Sequence, residues 1–202
     1  MTQVMKPRTR LAREERREQI VDAAIALFAG RDPAGVTFEE IAEAAGVSRA
    51  LVYNYFGDRH GLVEAMYCRS VDELDRRVGA ALSATRVLRD ALAASVRVHL
   101  TFAAESPAAY RHAAGEIAFP RQRELEALRV EKLAGAFGGT MQATLLARGV
   151  LSSVQDMVLW WMDRGGLEPD DALKVIASYL NGGIAAVRAL GVNLTPTWPV
   201  PV

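Results

Sequence analysis

The chemically reactive side chains of this 202-residue sequence are few and widely spaced. Cys68 is the single cysteine, and no histidine lies at helical spacing from it, so a cysteine nucleophile with a neighbouring base is not predicted. His99 and His112 are not spaced for one helical face, and the sequence has neither an HExxH motif nor a cysteine cluster. The sequence therefore predicts no enzyme, no metal site and no cofactor. A small α-helical enzyme is the alternative that a reactive Cys68 thiol would support.

Residues with recognition chemistry concentrate instead in the segment Val36–Leu62. Thr37 and Glu40 have the spacing of a capping box, which starts a short helix, and Ser48 is placed to cap a second one. Gly46 lies between the two helices and permits a turn that a side chain would resist. Two short helices joined in this way are typical of the helix-turn-helix motif, whose second helix fits the major groove of DNA. An ordinary helical corner is the alternative interpretation.

Charge supports this interpretation only locally. The chain has 24 Lys and Arg against 24 Asp and Glu, so its net charge gives no signal for or against nucleic acid. Residues 1–17, in contrast, contain six basic and two acidic side chains. If residues 1–9 form a loose basic arm, they can reach phosphates or a minor groove. A solvated tail is the alternative.

The elements that must position these residues are helices. Hydrophobic residues make up 50% of the chain and charged residues 24%, which is a globular composition. Apolar residues recur at intervals of three and four between proline and glycine breaks, which predicts an all-α fold of about nine helices. We expect a helix-turn-helix DNA-binding domain over residues 10–60 and a larger helical domain over residues 61–193. The seventh helix is expected to run from Phe119-Pro120 through Leu145 with a kink at its glycines, and the eighth over residues 150–164.

Membrane insertion and export are not expected. The sequence contains no apolar run of about 18 residues, and its basic start is not followed by an apolar signal core. We therefore expect a soluble, cytoplasmic protein.

The segment from Val36 to Ala65 resembles the DNA-binding signature of the tetracycline-repressor (TetR) family of bacterial regulators. The residues that carry the resemblance are Thr37, Ile41-Ala42, Ala45-Gly46-Val47-Ser48, Tyr53, Tyr55-Phe56, Arg59 and Leu62. The signature covers about 30 residues of the chain and is highly specific, and the helix count and total length also look like that family. One departure is modest, since the family often has lysine where this chain has Arg59.

The resemblance implies DNA contacts residue by residue. The set is Thr37, Ser48, Arg49, Ala50, Leu51, Tyr53, Asn54, Tyr55 and Arg59. Thr37 and Tyr53 would contact phosphate through their hydroxyl groups, and Arg59 would do so through its charge. Arg49 suits guanine and Asn54 suits adenine, whereas Ala50 and Leu51 offer apolar contact such as a thymine methyl group. As alternatives, the two tyrosines could belong partly to the core and Asn54 could face solvent.

The resemblance also implies a small-molecule pocket in the larger domain. Such pockets are mostly apolar with a few placed polar groups. The candidate lining residues are His99, Phe102, Tyr110, Glu116, Phe119, Phe137, Met141 and Trp160. A packed core with a satisfied histidine is the alternative for each of them.

The last two predicted helices are apolar on more than one side, so they require cover. Few other helices remain to supply it, and the family forms a two-fold dimer through a four-helix bundle of these helices. A core formed within one chain is the alternative. We expect a homodimeric transcriptional regulator, a repressor that a small-molecule effector releases from a pseudo-palindromic operator. The alternative is a ligand- or protein-binding module of the same fold that does not act through DNA.

Overall fold

Helices form the regular structure of the computed structural model over the residues that it describes, which are 8–29, 35–114, 120–192 and 194. In chain order the helices of these ranges are α1 (Arg8–Phe28), α2 (Phe38–Ala44), α3 (Arg49–Phe56), α4 (Arg59–Ser83), α5 (Leu88–Glu105), α6 (Pro107–Ala114), α7 (Pro120–Ala136), α8 (Met141–Arg164) and α9 (Pro169–Ala189). No strand occurs in them, so the predicted all-α fold is confirmed.

The chain divides into two compact units within α4, directly after Arg69. In the first unit the apolar sides of α1, α2, α3 and the start of α4 meet in one core. Its buried members are Ile20, Val21, Ala24, Phe28, Val36, Phe38, Ile41, Ala42, Ala45, Val52, Phe56, Leu62, Ala65 and Met66. Ala42 and Ala45 are small enough to let neighbouring helices approach closely, which fits the short connection between α2 and α3.

In the second unit α5 packs against α6, α8 and α9, and α7 packs against α8. The inner side of α9 buries Leu173, Ile176, Leu180 and Ile184, which follow each other at intervals of three and four residues. This spacing places them on one helical stripe that faces the core.

The connection between α7 and α8 differs from the prediction. The seventh helix ends at Ala136 instead of continuing through Leu145, and α8 begins at Met141 rather than near Val150. Gly138 and Gly139 have φ angles of 100° and 69°, a region that favours glycine and stops a helix. Thr140 then caps the next helix, because its Oγ1 accepts a hydrogen bond from the Ala143 N–H over 3.1 Å. The glycines therefore separate two helices instead of kinking one.

The other predicted bounds differ by smaller amounts. The first helix begins at Arg8 rather than near Arg10, and the fifth begins at Leu88 rather than near Arg86. Residues 1–7 of the predicted basic arm lie outside the described residues. None of the helices in the described ranges has the length and apolar character needed to cross a membrane.

Candidate functional site

Side-chain caps fix the start of both short helices of the first unit. The Thr37 N–H donates to Oε2 of Glu40 over 2.9 Å, and the Glu40 N–H donates to Oγ1 of Thr37 over 3.3 Å. This reciprocal pair is the predicted capping box. Oγ of Ser48 accepts from the Leu51 N–H over 3.2 Å and so caps α3. Gly46, with φ of 64°, makes the turn between the helices.

The two sides of α3 have opposite character. Val52 is fully buried and Phe56 nearly so, and both belong to the core of the first unit. Arg49, Ala50, Tyr53 and Asn54 are exposed on the other side, while Leu51 and Tyr55 are half-buried. Tyr55 packs partly against the core, as its alternative interpretation allowed. The helix is thus anchored on one side and presents polar groups on the other.

Arg49 is the best-connected of these exposed residues. Its Nη2 donates to the Tyr53 hydroxyl over 3.2 Å, and the guanidinium lies 5.3 Å from the centre of the Tyr53 ring. Its Nη1 forms an ion pair with the carboxylate of Glu39 on α2. The hydrogen bond to Tyr53, followed by the charge of Glu39, raises the pKa of Arg49, which therefore stays protonated. The Tyr53 ring in turn packs on Phe38, with 4.8 Å between ring centres.

Arg59 lies at the first residue of α4 and is exposed. Its Nη1 donates to the Val36 carbonyl over 2.8 Å, and its guanidinium lies 5.5 Å from the centre of the Phe28 ring. Arg59 therefore links the start of α4 to the segment that precedes α2, besides placing a positive charge close to Thr37. These two contacts fix the position of the Arg59 guanidinium.

Arginines of α1 add positive charge near α3. Arg13 lies 5.8 Å from the ring centre of Tyr55, and Arg17 lies 5.5 Å from that of Phe56. Gln19, on the same helix, donates to the Ala45 carbonyl over 2.9 Å and so holds α1 against the turn. The basic N-terminal region is thus helical from Arg8 onward, and its Arg13 and Arg17 lie beside the motif.

Gly61 is a structural residue that the sequence analysis does not single out. A Cβ atom at this position would lie 2.2 Å from the carbonyl oxygen of Phe56. The Gly61 N–H donates to Oδ1 of Asp58 over 2.9 Å, which closes the turn between α3 and α4. Only glycine permits this close approach, which fixes the direction in which α4 leaves the motif.

The second unit encloses a cavity of about 160 Å³. Its walls come from α4, α5, α7, α8 and α9, and they are largely apolar, with side chains such as Leu82, Val96 and Val154. The charged side chains that line it are Asp75, Arg129 and Lys132. Oδ1 of Asp75 lies 2.8 Å from Nε of Arg129, whose side chain is only 11% exposed.

Of the predicted pocket residues that the structure describes, His99 alone lines this cavity. Its Nδ1 lies 3.0 Å from the hydroxyl oxygen of Tyr110, at hydrogen-bond distance, and both side chains are buried. Burial, with a smaller contribution from the charge of Arg129, lowers the pKa of His99 to about 3. Burial also raises the pKa of Tyr110 above its usual range. Both groups are therefore neutral near pH 7, so His99 contributes polarity to the cavity without charge.

Phe102, Tyr110, Phe137, Met141 and Trp160 do not line the cavity. Phe102 packs edge-to-face on Tyr110, with 6.3 Å between ring centres, and Phe137 is fully buried. Met141 and Trp160 are 81% and 60% exposed. Glu116 and Phe119 lie outside the described residues.

Large apolar side chains are exposed along the outer sides of α8 and α9. Val175 and Tyr179 on α9 and Leu190, which directly follows it, share one stripe with Gly182, Gly183 and Ala186. On α8 the exposed apolar side chains are Met141, Leu145 and Trp160. Each is between 56% and 83% exposed, and a concentration of this kind on two helices marks an interaction surface.

Part of the sequence is similar to known bacterial regulators. Residues 20–66 match the family model described as bacterial regulatory proteins, tetR family. The chain is 37% identical over 98 residues to the HTH-type transcriptional regulator BetI of Brucella anthropi. That match covers 47% of this chain and 50% of the relative, so the chain spans about half the length of this relative. The relative is named as a regulator and not as an enzyme.

Structure comparison extends the likeness to most of the chain. A TetR-family transcriptional regulator from Streptomyces coelicolor is similar with a TM-score of 0.71 and 24% identity, over 88% of this chain and 83% of that one. AibR in complex with isovaleryl coenzyme A and operator DNA is similar with a TM-score of 0.61 and 20% identity, over 81% and 97%. At these identities the comparison establishes the fold.

Proposed function

We propose that this chain, which belongs to the TetR family of bacterial regulatory proteins, is a sequence-specific DNA-binding transcriptional regulator. The observation that carries the proposal is the two-sided character of α3. Val52 and Phe56 anchor the helix in the core, and Arg49, Ala50 and Asn54 are left on an exposed side. A helix held in this way can enter a major groove and read base edges.

The proposed contacts divide into base-reading and positioning groups. Arg49 donates to guanine and Asn54 addresses adenine, while Ala50 and Leu51 provide apolar contact to a thymine methyl group. The phosphate contacts come from Thr37, Tyr53 and Arg59, and the Ser48 cap and the half-buried Tyr55 hold the start and end of α3 in place. We assign DNA binding to residues 10–60 and effector binding and dimerisation to residues 61–193.

A second copy of the chain is the partner that we propose for the exposed stripes of α8 and α9. Val175, Tyr179 and Leu190 would pack against their equivalents around a two-fold axis, which makes the contact isologous. Gly182 and Gly183 on the same stripe would let the α9 helices approach closely. Two recognition helices would then read a pseudo-palindrome whose half-sites lie about one or two helical turns apart.

The second unit would bind the small molecule that controls the proposed regulator. A small-molecule effector would occupy the cavity beside His99 and would favour the conformation that does not bind DNA. Effector and DNA would then weaken each other's binding by the same factor. AibR, which shares the fold, has been crystallised with both an acyl coenzyme A and operator DNA. We propose repression as the mode of action, in the cytoplasm, where bacterial DNA lies.

An electrophoretic mobility shift tests the DNA-binding function. The probe is duplex DNA from the region upstream of the chain's own gene, with a shuffled duplex of equal composition as control. We expect a shifted band for the upstream duplex at physiological salt, and shifts for both duplexes only at low salt, where phosphate contacts dominate. If neither duplex is shifted even at low salt, the chain does not bind DNA, and the alternative of a ligand- or protein-binding module is favoured.

A further inference from the structure

The charges that line the cavity are not balanced. Asp75 contributes one negative charge, and Arg129 and Lys132 contribute two positive charges from successive turns of α7. The Asp75–Arg129 ion pair uses the negative charge, and His99 is neutral because burial lowers its pKa to about 3. Lys132 has no ion-pair or hydrogen-bond partner within the described residues. Among the described residues that line the cavity, one positive charge is therefore left in excess.

The position of this excess charge suggests where an anion would lie. The Arg129 side chain is mostly buried, whereas Lys132 is exposed and also lines the cavity, so Lys132 lies where the cavity meets solvent. Burial raises the pKa of Asp75, as does the neighbouring charge of Asp72, and the charges of Arg129 and Lys132 oppose this shift. A guanidinium also has five N–H donors, which one carboxylate does not exhaust.

The rest of the cavity limits the size and polarity of an occupant. Leu92, Val96, Leu133, Val150 and Val154 form apolar walls, and the neutral polar groups are Ser95 and His99. The cavity holds about 160 Å³, and an apolar cavity of about 150 Å³ accommodates a molecule of about the size of benzene. Bulkier ligands would require the helices to move apart.

We propose that the cavity binds a small organic monoanion, an aromatic or short-chain carboxylate whose head group pairs with Arg129 and Lys132 and whose apolar body lies against Val96 and Val154. This inference rests on the proposed effector function and names the ligand class for that site. A cation of the same shape would meet the excess positive charge. A neutral analogue would lose the charge-assisted hydrogen bonds, which are about twice as strong as neutral ones.

Ligand-observed NMR titration of the full chain tests the proposal with matched probes of one shape. Benzoate, benzamide and benzylamine carry a negative, a neutral and a positive head group on the same ring, and hexanoate, hexanamide and hexylamine repeat the series. We expect each carboxylate to bind about tenfold or more tightly than its amide, which corresponds to about 1.4 kcal/mol, and the amines to bind least.

Two substitutions at the exposed Lys132 locate the site with little risk to folding. Lys132→Gln is expected to weaken benzoate binding about tenfold and leave benzamide unchanged, and Lys132→Glu is expected to reverse the preference toward benzylamine. Lys174→Gln, a surface lysine on α9 paired with Asp171, is the matched control and should change nothing. Equal binding of benzoate and benzamide, or benzoate binding that survives both Lys132 substitutions, would overturn the proposal.

The mobility shift, run on the same preparations, separates this inference from the proposed function. Retained DNA binding without any preference for carboxylates refutes the ligand class alone. Absence of sequence-specific DNA binding by the wild-type chain refutes the proposed function as a transcriptional regulator.

Discussion

Nη2 of Arg49 donates a hydrogen bond to the hydroxyl of Tyr53, one helical turn further along α3, over 3.2 Å. Tyr53 is itself packed on Phe38 of α2, so the guanidinium is held over the exposed side of α3, the proposed recognition helix, in the absence of DNA. Such pre-organisation reduces the side-chain ordering that binding must otherwise impose. The same guanidinium pairs with Glu39, whose negative charge must be displaced or tolerated when phosphates approach.

Arg49→Ala is expected to reduce affinity for the preferred duplex by about tenfold or more and to relax base preference at one position.

Arg59→Gln is expected to weaken binding to the preferred and the shuffled duplex alike and to flatten the slope of log affinity against log salt by about one. Fluorescence anisotropy over a range of salt concentrations measures both effects. Because Arg59 also holds the Val36 carbonyl, thermal unfolding of its variant is recorded beside the titration. Equal losses with equal slopes in the two variants would contradict this division of roles.

Glu39→Gln is expected to strengthen DNA binding by about threefold to tenfold at low salt, because it removes a negative charge beside the recognition helix. The gain should shrink as salt rises and screens the charge. Glu131→Gln makes the same change in net charge and serves as the control, because Glu131 is an exposed residue of α7 in the second unit. Weaker binding by the Glu39 variant would mean that the carboxylate positions Arg49 more than it opposes DNA.

Tyr179→Glu is expected to convert a dimer into monomers, because it places a charge in the middle of the exposed stripe of α9. Sedimentation velocity at micromolar concentration measures the change. Leu128→Glu is the matched control, since Leu128 is 50% exposed on α7 and is not one of the exposed apolar residues of α8 and α9. If the wild-type chain sediments as a monomer, or if both variants dissociate equally, the proposed dimer surface is wrong.

His99 predicts a pH dependence of stability whose sign follows from its lowered pKa. The unfolded chain takes up a proton near pH 6.5, whereas the folded chain does so only near pH 3. The contribution of His99 is therefore fully present above pH 6.5 and is lost as pH falls, by about 2 kcal/mol between pH 7 and pH 5. Urea unfolding at these two pH values should show a smaller loss for His99→Gln than for the wild type. An equal loss in the two proteins would contradict the role assigned to His99.

Short-range patterns made the DNA-binding motif predictable. The Thr37–Glu40 box and the Ser48 cap depend on residues three apart, and each is present as predicted. Gly61 could not be identified in the same way. A side chain is excluded there because the Phe56 carbonyl oxygen lies too close, and the position of that oxygen is defined only by the folded turn. The sequence predicts an interruption at Gly138 and Gly139 but indicates a kink in one helix rather than two helices. The start of a new helix depends on the Thr140 cap, whose hydrogen bond forms only in the folded geometry.

The cavity was less accessible to sequence analysis. His99 was identified because a histidine interrupts an apolar helix face, but Asp75 and Arg129, which are 54 positions apart, look like ordinary surface charges on their own helices. Met141 and Trp160 were predicted to line the pocket because they are large and apolar. The same property suits a partner surface, and helical periodicity alone does not distinguish the two environments.

Selection of bound duplexes from a random pool by the purified wild-type chain tests the central claim most directly, with the Arg49→Ala variant selected in parallel. We expect the wild-type chain to enrich one inverted repeat with half-sites about one or two helical turns apart. The variant is expected to lose base preference at one matching position in each half-site. Enrichment of no sequence by a folded wild-type chain, or the same motif from both proteins, would contradict this claim.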